Sequence, residues 1–267
     1  MEFIETKNKD LEVNEIAMSC DGCLGEDLIE PLNSFRSGFN LLIAGYSGSG
    51  KTTLLINLLS KPKKKKIRQS FKGLFHNIFI VSPSLHTLGK NIFDDLDSKK
   101  KLKKLDNEML DDFEEYLKEM KEEDKLKAQD EERDVEPKYT LLVLDDVATS
   151  LRKDKKLEQR FINLLQNRRH LGLGGVSVIT IVQSIVQVAP QHRNNLSHLI
   201  SFKPKNNSEM ERIYKEFLPY NNKYMNVFFE FFFKDKHDFL LVDLTLRNSA
   251  DFQFYRKYNK VDFKITE

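Results

Sequence analysis

The sequence predicts an α/β fold in three layers, with a mainly parallel sheet, a helical insertion and a β-rich C-terminal extension. Three observations lead there. An apolar run, Phe39-Asn40-Leu41-Leu42-Ile43-Ala44, leads directly into Gly45-Tyr46-Ser47-Gly48-Ser49-Gly50-Lys51-Thr52, which matches G-x-x-x-x-G-K-[ST] at every position. A second strand-like run, Tyr139 to Leu144, ends in the adjacent carboxylates Asp145 and Asp146. Around these, short apolar runs alternate with helical patterns, the rhythm of βαβ units.

The chain's 267 residues have room for one large α/β domain carrying an insertion. With 43 basic and 41 acidic residues the formal charge is +2, so bulk charge does not call for a nucleic-acid partner. Two cysteines, Cys20 and Cys23, cannot build a disulfide framework, and no leader pattern opens the chain, which predicts a reducing compartment and no secretion. The longest apolar run, Val227 to Phe233, is interrupted by Glu230 and is too short for a bilayer.

Residues 1–36 read as a polar lead-in segment. Its Cys20-Asp21-Gly22-Cys23 pair has no second cysteine pair to complete the roughly four ligands of a zinc site, which favours plain thiols. The expected ATPase domain covers 37–246. In its first unit the phosphate chain is wrapped by main-chain N–H groups, and Gly45, Gly48 and Gly50 keep side chains out of the way. Lys51 supplies a point charge for the β- and γ-phosphates, and the Thr52 hydroxyl can ligate Mg²⁺. Ser47, Ser49 and Thr53 complete the expected ATP-binding set, with the helix Thr53 to Leu59 presenting its positive end.

Lys61 to Arg68 holds six basic residues in eight, read as a solvated loop, with a contact to DNA phosphates or a nuclear signal as the alternatives. Asn77 to Val81 predicts a second strand, followed by a helix around Thr87 to Leu96. From about 99 to 138 a lysine cluster gives way to an acidic segment in which Leu102, Leu105, Met109, Phe113, Leu117 and Met120 recur at helical spacing. This predicts an inserted amphipathic helix with a solvated charged face.

At the end of the Tyr139 to Leu144 strand, Asp145 is the candidate Mg²⁺ ligand and Asp146 the candidate base for the attacking water. A helix from about Lys155 to His170 ends in Arg168-Arg169-His170 before a glycine-rich turn. The dipole alone favours cations there. The functional alternative is an arginine finger, Arg168 or Arg169, aimed at a neighbouring subunit's γ-phosphate. Val176 to Val182 predicts another buried strand, ending in Gln183, a candidate sensor of the γ-phosphate or of the lytic water. Tyr224 to Phe233 and Phe239 to Leu244 read as a β-hairpin extending the sheet, and 247–267 as a C-terminal tail.

Together, GYSGSGKTT, LLVLDDV, NRRHLGLGGVSVITIVQS and the later RNN with SFKPKNNSEMERIYKEF resemble the viral DNA-packaging ATPases of the FtsK–HerA superfamily, found in poxviruses, other large DNA viruses and virophages. The resemblance covers roughly residues 38 to 217. It implies a RecA-like P-loop NTPase in a homo-oligomeric ring of about five or six subunits, hydrolysing ATP with Mg²⁺ to translocate double-stranded DNA into a preformed capsid. The implied partners are the DNA backbone, without sequence specificity, and capsid portal or vertex proteins, with no membrane. The implied location is the host cytoplasm, in a viral factory, or the virion. Lys51 and Thr52 match the family's phosphate-loop pair, Asp145 and Asp146 its acidic pair, Gln183 its sensor, and Arg168 or Arg169 its finger. One departure is Asp146, where many of these motors carry glutamate; the shorter side chain must sit closer to the water or act through a second one.

Two other classes stay open. A P-loop nucleotide kinase needs an arginine-rich lid, whereas 99–138 contains only Arg133 and an acidic excess. A virion scaffolding protein could bind ATP without motor activity.

Overall fold

The computed structural model describes residues 22, 24–25, 28–60, 70–84, 93, 96–218, 222–245 and 253–262. The cysteine pair, the lysine run 61–68 and nearly all of the helix expected at 87–96 lie outside them. One nine-stranded sheet organises the chain in the order β3-β2-β4-β5-β1-β6-β7-β8-β9. β1 (Asn40–Ala44), β2 (Asn77–Val81), β3 (Lys101–Leu102), β4 (Thr140–Asp145), β5 (Val176–Val182) and β6 (His198–Phe202) are parallel. β7 (Phe239–Asp243), β8 (Gln253–Arg256) and β9 (Asn259–Val261) continue antiparallel.

The central strands are apolar on both faces because both faces are covered. Successive residues alternate sides, so Leu41 and Ile43 of β1 join Val143, Ile179 and Ile181 under α1 (Lys51–Leu59), through Leu55 and Leu58. Leu42 and Ala44 face the other way, towards α6 (Asn207–Phe217) and α7 (Met225–Phe232). On that side, Phe79, Leu142 and Val178 pack against α2 (Asn107–Asp130) and α4 (Lys155–Asn167). The short α5 (Pro190–Asn194) leads into β6, and the result is helix, sheet, helix. No helix among the described residues is long and apolar enough to cross a membrane.

Four expectations need correction. The inserted helix begins only at Asn107, capped by the Asp106 carboxylate on the Met109 N–H at 3.0 Å. Leu102 lies instead on the edge strand β3, which pairs with Ile80 and Val81, while Met109, Phe113 and Leu117 form the buried stripe.

The expected helix over 155–170 ends at Asn167, with Arg168–His170 in a single 3₁₀ turn and α3 (Ala148–Lys153) preceding it. Tyr224 to Phe233 is helical rather than extended. Its aromatics carry strand propensity, but Phe228, Phe229 and Phe232 fall on one helical face, and Phe228–Phe232 and Phe229–Phe233 stack one turn apart with centroids at 4.4 and 5.7 Å. That face buries against Tyr214 of α6. Finally, the segment read as a tail supplies β8 and β9, so the sheet runs on past 246.

Candidate functional site

β1 is buried along its whole length and delivers the chain to the carboxyl rim of the sheet, where ligands of open α/β folds bind. The loop that follows is shaped by its glycines. A Cβ on Gly45 would stand 2.7 Å from Ser49 Oγ and 2.8 Å from the Phe202 side chain, so only glycine fits. Gly50, with φ 111°, turns the chain into α1 through a conformation that side chains disfavour. Ser49 is fully buried and its Oγ has no hydrogen-bond partner among the described residues.

Lys51 opens α1, and its Nζ donates to the Gly45 and Tyr46 carbonyls at 2.6 and 3.0 Å. Burial lowers its pKa, against the pull of Asp145 and Asp146. Those two carboxylates arrive on β4, two places along the sheet from β1. Burial raises the Asp145 carboxyl, and the Ser82 hydroxyl at the end of β2 opposes this by donating to its Oδ2 at 2.9 Å. Asp146 is exposed at the turn with φ 56°, a left-handed conformation rare for a non-glycine residue and associated with strain at functional sites. From β5, between the two, Gln183 Nε2 donates to Asp146 Oδ2 at 3.3 Å. Three strands thus bring Lys51, Thr52, Asp145, Asp146 and Gln183 to one cleft of about 370 Å³, together with Ser47, Gly48, Gly50 and Thr53.

The cleft suits a phosphate chain. The missing Cβ atoms leave a cradle, the unpartnered Ser49 hydroxyl lies in the same loop, and α1 starts at it. The Thr52 hydroxyl and Asp145 carboxylate are hard oxygen donors of the kind Mg²⁺ takes alongside phosphate oxygens.

The arginines are elsewhere. Arg168 Nε donates to the Gly38 carbonyl at 2.6 Å and Nη1 to Leu165 O, and the side chain is 6% exposed. Gly38 precedes β1, so this contact lies at the opposite rim of the sheet from the phosphate loop. Burial, with Arg169 adding repulsion, lowers the Arg168 guanidinium to about 10. Its hydrogen bonds hold the entry to β1 against the end of α4, so of the two arginines expected as a finger Arg168 is engaged within its own chain. Arg169 is exposed on the same turn.

Two residues of the site were not anticipated, the buried Ser82 that supports Asp145 and His237 that lines the cleft. Ser82 closes a predicted strand, and its polarity directly after Val81 was the only available signal. His237 comes from the turn before β7, and no sequence spacing connects it to the loop it touches.

A model of the poxvirus A32 protein matches residues 32–237. No curated protein matches the chain. Among solved structures, the DNA-packaging ATPase B204 from Sulfolobus turreted icosahedral virus aligns with a TM-score of 0.50 and 18% identity, over 82% of this chain and 98% of that one. The genome-packaging NTPase B204 of Sulfolobus turreted icosahedral virus 2 in complex with sulfate gives 0.49 and 15%, over 83% and 98%. The pCW3 conjugation coupling protein TcpA with ATPγS gives 0.45 and 14%, over 84% and 59%. At these identities the first alignment shows a shared fold.

Proposed function

The chain belongs to the poxvirus A32 protein family, and on that premise we propose that it is an ATP-hydrolysing motor that moves double-stranded viral DNA into a capsid. The observation that carries the proposal is the meeting of Lys51, Asp145, Asp146 and Gln183 at one rim, from three adjacent strands. Similarity to a structure described as a DNA-packaging ATPase supports the choice of work performed.

In this reading Lys51 leaves the Gly45 and Tyr46 carbonyls to meet the β- and γ-phosphates of ATP. Thr52 and Asp145 would hold Mg²⁺, which would supply positive charge to offset that of the phosphates. Asp146 and Gln183 orient the attacking water. Its oxygen bonds to the γ-phosphorus, the bond to the β-bridging oxygen breaks, and a proton passes to Asp146. Among the described residues lining the cleft, Lys51 and His237 are the basic side chains and none is an arginine. Arg169 is the finger, contributed across a homo-oligomeric ring to the neighbour's γ-phosphate. DNA is held through its backbone phosphates without sequence specificity, and the ring docks on capsid portal or vertex proteins in the infected cytoplasm or virion.

ATP hydrolysis by the full chain, measured with and without duplex DNA at low salt, tests this. DNA should stimulate hydrolysis, and Lys51→Ala should abolish it. Robust hydrolysis indifferent to DNA overturns translocation; ATP binding unaffected by Lys51→Ala overturns the nucleotide site itself.

A further inference from the structure

The cleft has a second wall. β5 and β4, which bring Gln183 and the aspartates, lie on one side of β1, and β6 and β7 lie on the other. Because β7 runs antiparallel to β6, with Phe239 opposite Phe202, the turn before β7 returns to the rim that carries the phosphate loop. There it presents His237 to the cleft.

His237 is held in a defined way. Its Nδ1 lies 3.0 Å from the Ser49 carbonyl oxygen. A carbonyl only accepts, so Nδ1 carries the hydrogen and Nε2 is left as the second polar atom of the ring. Among the described residues Nε2 has no hydrogen-bond partner.

The turn beneath it is braced. Asp238 is 1% exposed, accepts the Asp235 N–H at 2.9 Å, and pairs with Lys257 at 2.8 Å and with Arg256 of β8. Burial works to raise the Asp238 carboxyl, but hydrogen bonds from Lys257 and Arg256 hold it well below the usual carboxylate range. Gly50 lies beside the ring, its Cβ position at ordinary contact distance, 3.5 Å, from both the imidazole and Phe202. An exposed imidazole anchored to the loop backbone by one nitrogen, on a turn stiffened by ion pairs to the buried Asp238, is preorganised for a ligand.

We propose that His237 is a nucleotide-binding residue whose Nε2 accepts a hydrogen bond from the nucleoside part of a nucleoside triphosphate, opposite the wall where the γ-phosphate reacts. The inference rests on the reading of the cleft as a nucleotide site. It follows from the shape of the ligand: with the reacting end against Asp145, Asp146 and Gln183, the linear phosphate chain carries the ribose and base away from that wall and towards β6 and β7.

Binding of MgATP and of magnesium tripolyphosphate, which has phosphates and no nucleoside, separates the possibilities in the full chain. His237→Ala should weaken MgATP about five- to tenfold, the value of one hydrogen bond, and leave tripolyphosphate within about twofold. His237→Asn keeps a donor near the Nδ1 position but nothing at Nε2, and should behave like His237→Ala; His237→Gln, whose amide reaches the Nε2 position, should recover part of the loss. If His237→Ala binds MgATP like the unmodified protein while Lys51→Ala does not bind, the inference falls and the nucleotide site stands. Equal losses for both ligands, or full rescue by His237→Asn, would reduce His237 to a brace for the loop and overturn the contact. If the unmodified protein binds no MgATP, or Lys51→Ala binds it equally well, the nucleotide reading itself falls.

Discussion

Replacing Arg168 by methionine separates a structural arginine from a catalytic one. The guanidinium makes two hydrogen bonds to buried carbonyls, Gly38 O at 2.6 Å and Leu165 O. Hydrogen bonds from a charged donor contribute about 1.5–3 kcal/mol each. Against them stands the cost of burying the charge, visible as the lowering of the guanidinium to about 10, which corresponds to roughly 3 kcal/mol. The methionine retains most of the apolar stem and carries no charge, so part of the loss is returned.

The expected outcome for Arg168→Met is a net destabilisation of about 1–3 kcal/mol, or a melting temperature lower by roughly 3–10 °C for a domain of this size. Urea unfolding and thermal melting measure it. ATP turnover per folded molecule should stay within about twofold, whereas Arg169→Ala should cut turnover by about a thousandfold or more at unchanged melting temperature, as loss of an arginine finger does. An Arg168→Met protein that melts normally but no longer hydrolyses ATP would refute this division of roles.

Three further outcomes follow from the same geometry. Because burial raises the Asp145 carboxyl, the folded protein binds that proton more tightly than the unfolded chain does, and ionisation above the raised value costs stability; Asp145→Asn should leave the ligand-free protein as stable or up to about 1 kcal/mol more stable at pH 7 while Mg²⁺-dependent hydrolysis falls at least about a hundredfold, and a strongly destabilised variant would contradict this. Gln183→Ala should lower kcat by about ten- to a hundredfold with MgATP affinity nearly unchanged, so a parallel loss of affinity would place Gln183 in binding rather than in orienting the water. Burial pushes His192 down to about 3 and His198 down to about 4, the latter against the pull of Asp243, so both stay neutral in the folded chain while the unfolded chain protonates near 6.5. Their stabilisation is complete above pH 6.5 and is lost as pH falls towards 4, by up to about 1.4 kcal/mol per pH unit for each histidine. His192→Leu should flatten that acid limb by about one proton in urea unfolding, and an unchanged slope would count against it.

The parts of the cleft legible in the sequence are those held by contiguous chemistry. Gly45 to Thr52 must wrap a phosphate chain with main-chain groups, so its residue types are dictated at fixed spacing, and the strands bearing Asp145 and Gln183 announce themselves as buried runs that stop at a polar residue. What escaped depends on packing between distant segments. Phe228, Phe229 and Phe232 have strand propensity, and only packing against distant neighbours such as Tyr214 on α6 and Phe254 on β8 makes them a helix. Arg168 looks like its exposed neighbour Arg169 until the Gly38 carbonyl, 130 residues away, is seen to accept its Nε hydrogen. Ser82, buried behind Asp145 just after β2, and His237, which lines the cleft from the turn before β7, have no periodicity to mark them.

The sequence alone therefore determined the phosphate loop, its acidic and polar counterparts and the parallel α/β rhythm, because each follows from local residue chemistry or from burial on both faces of a strand. The tertiary structure decided which contacts hold the side chains in place. The Arg168 guanidinium is engaged with two buried carbonyls of its own chain, and an imidazole reaches the loop only because β7 turns back antiparallel beside β6. Both depend on contacts across more than a hundred residues of chain, which spacing along the sequence does not encode.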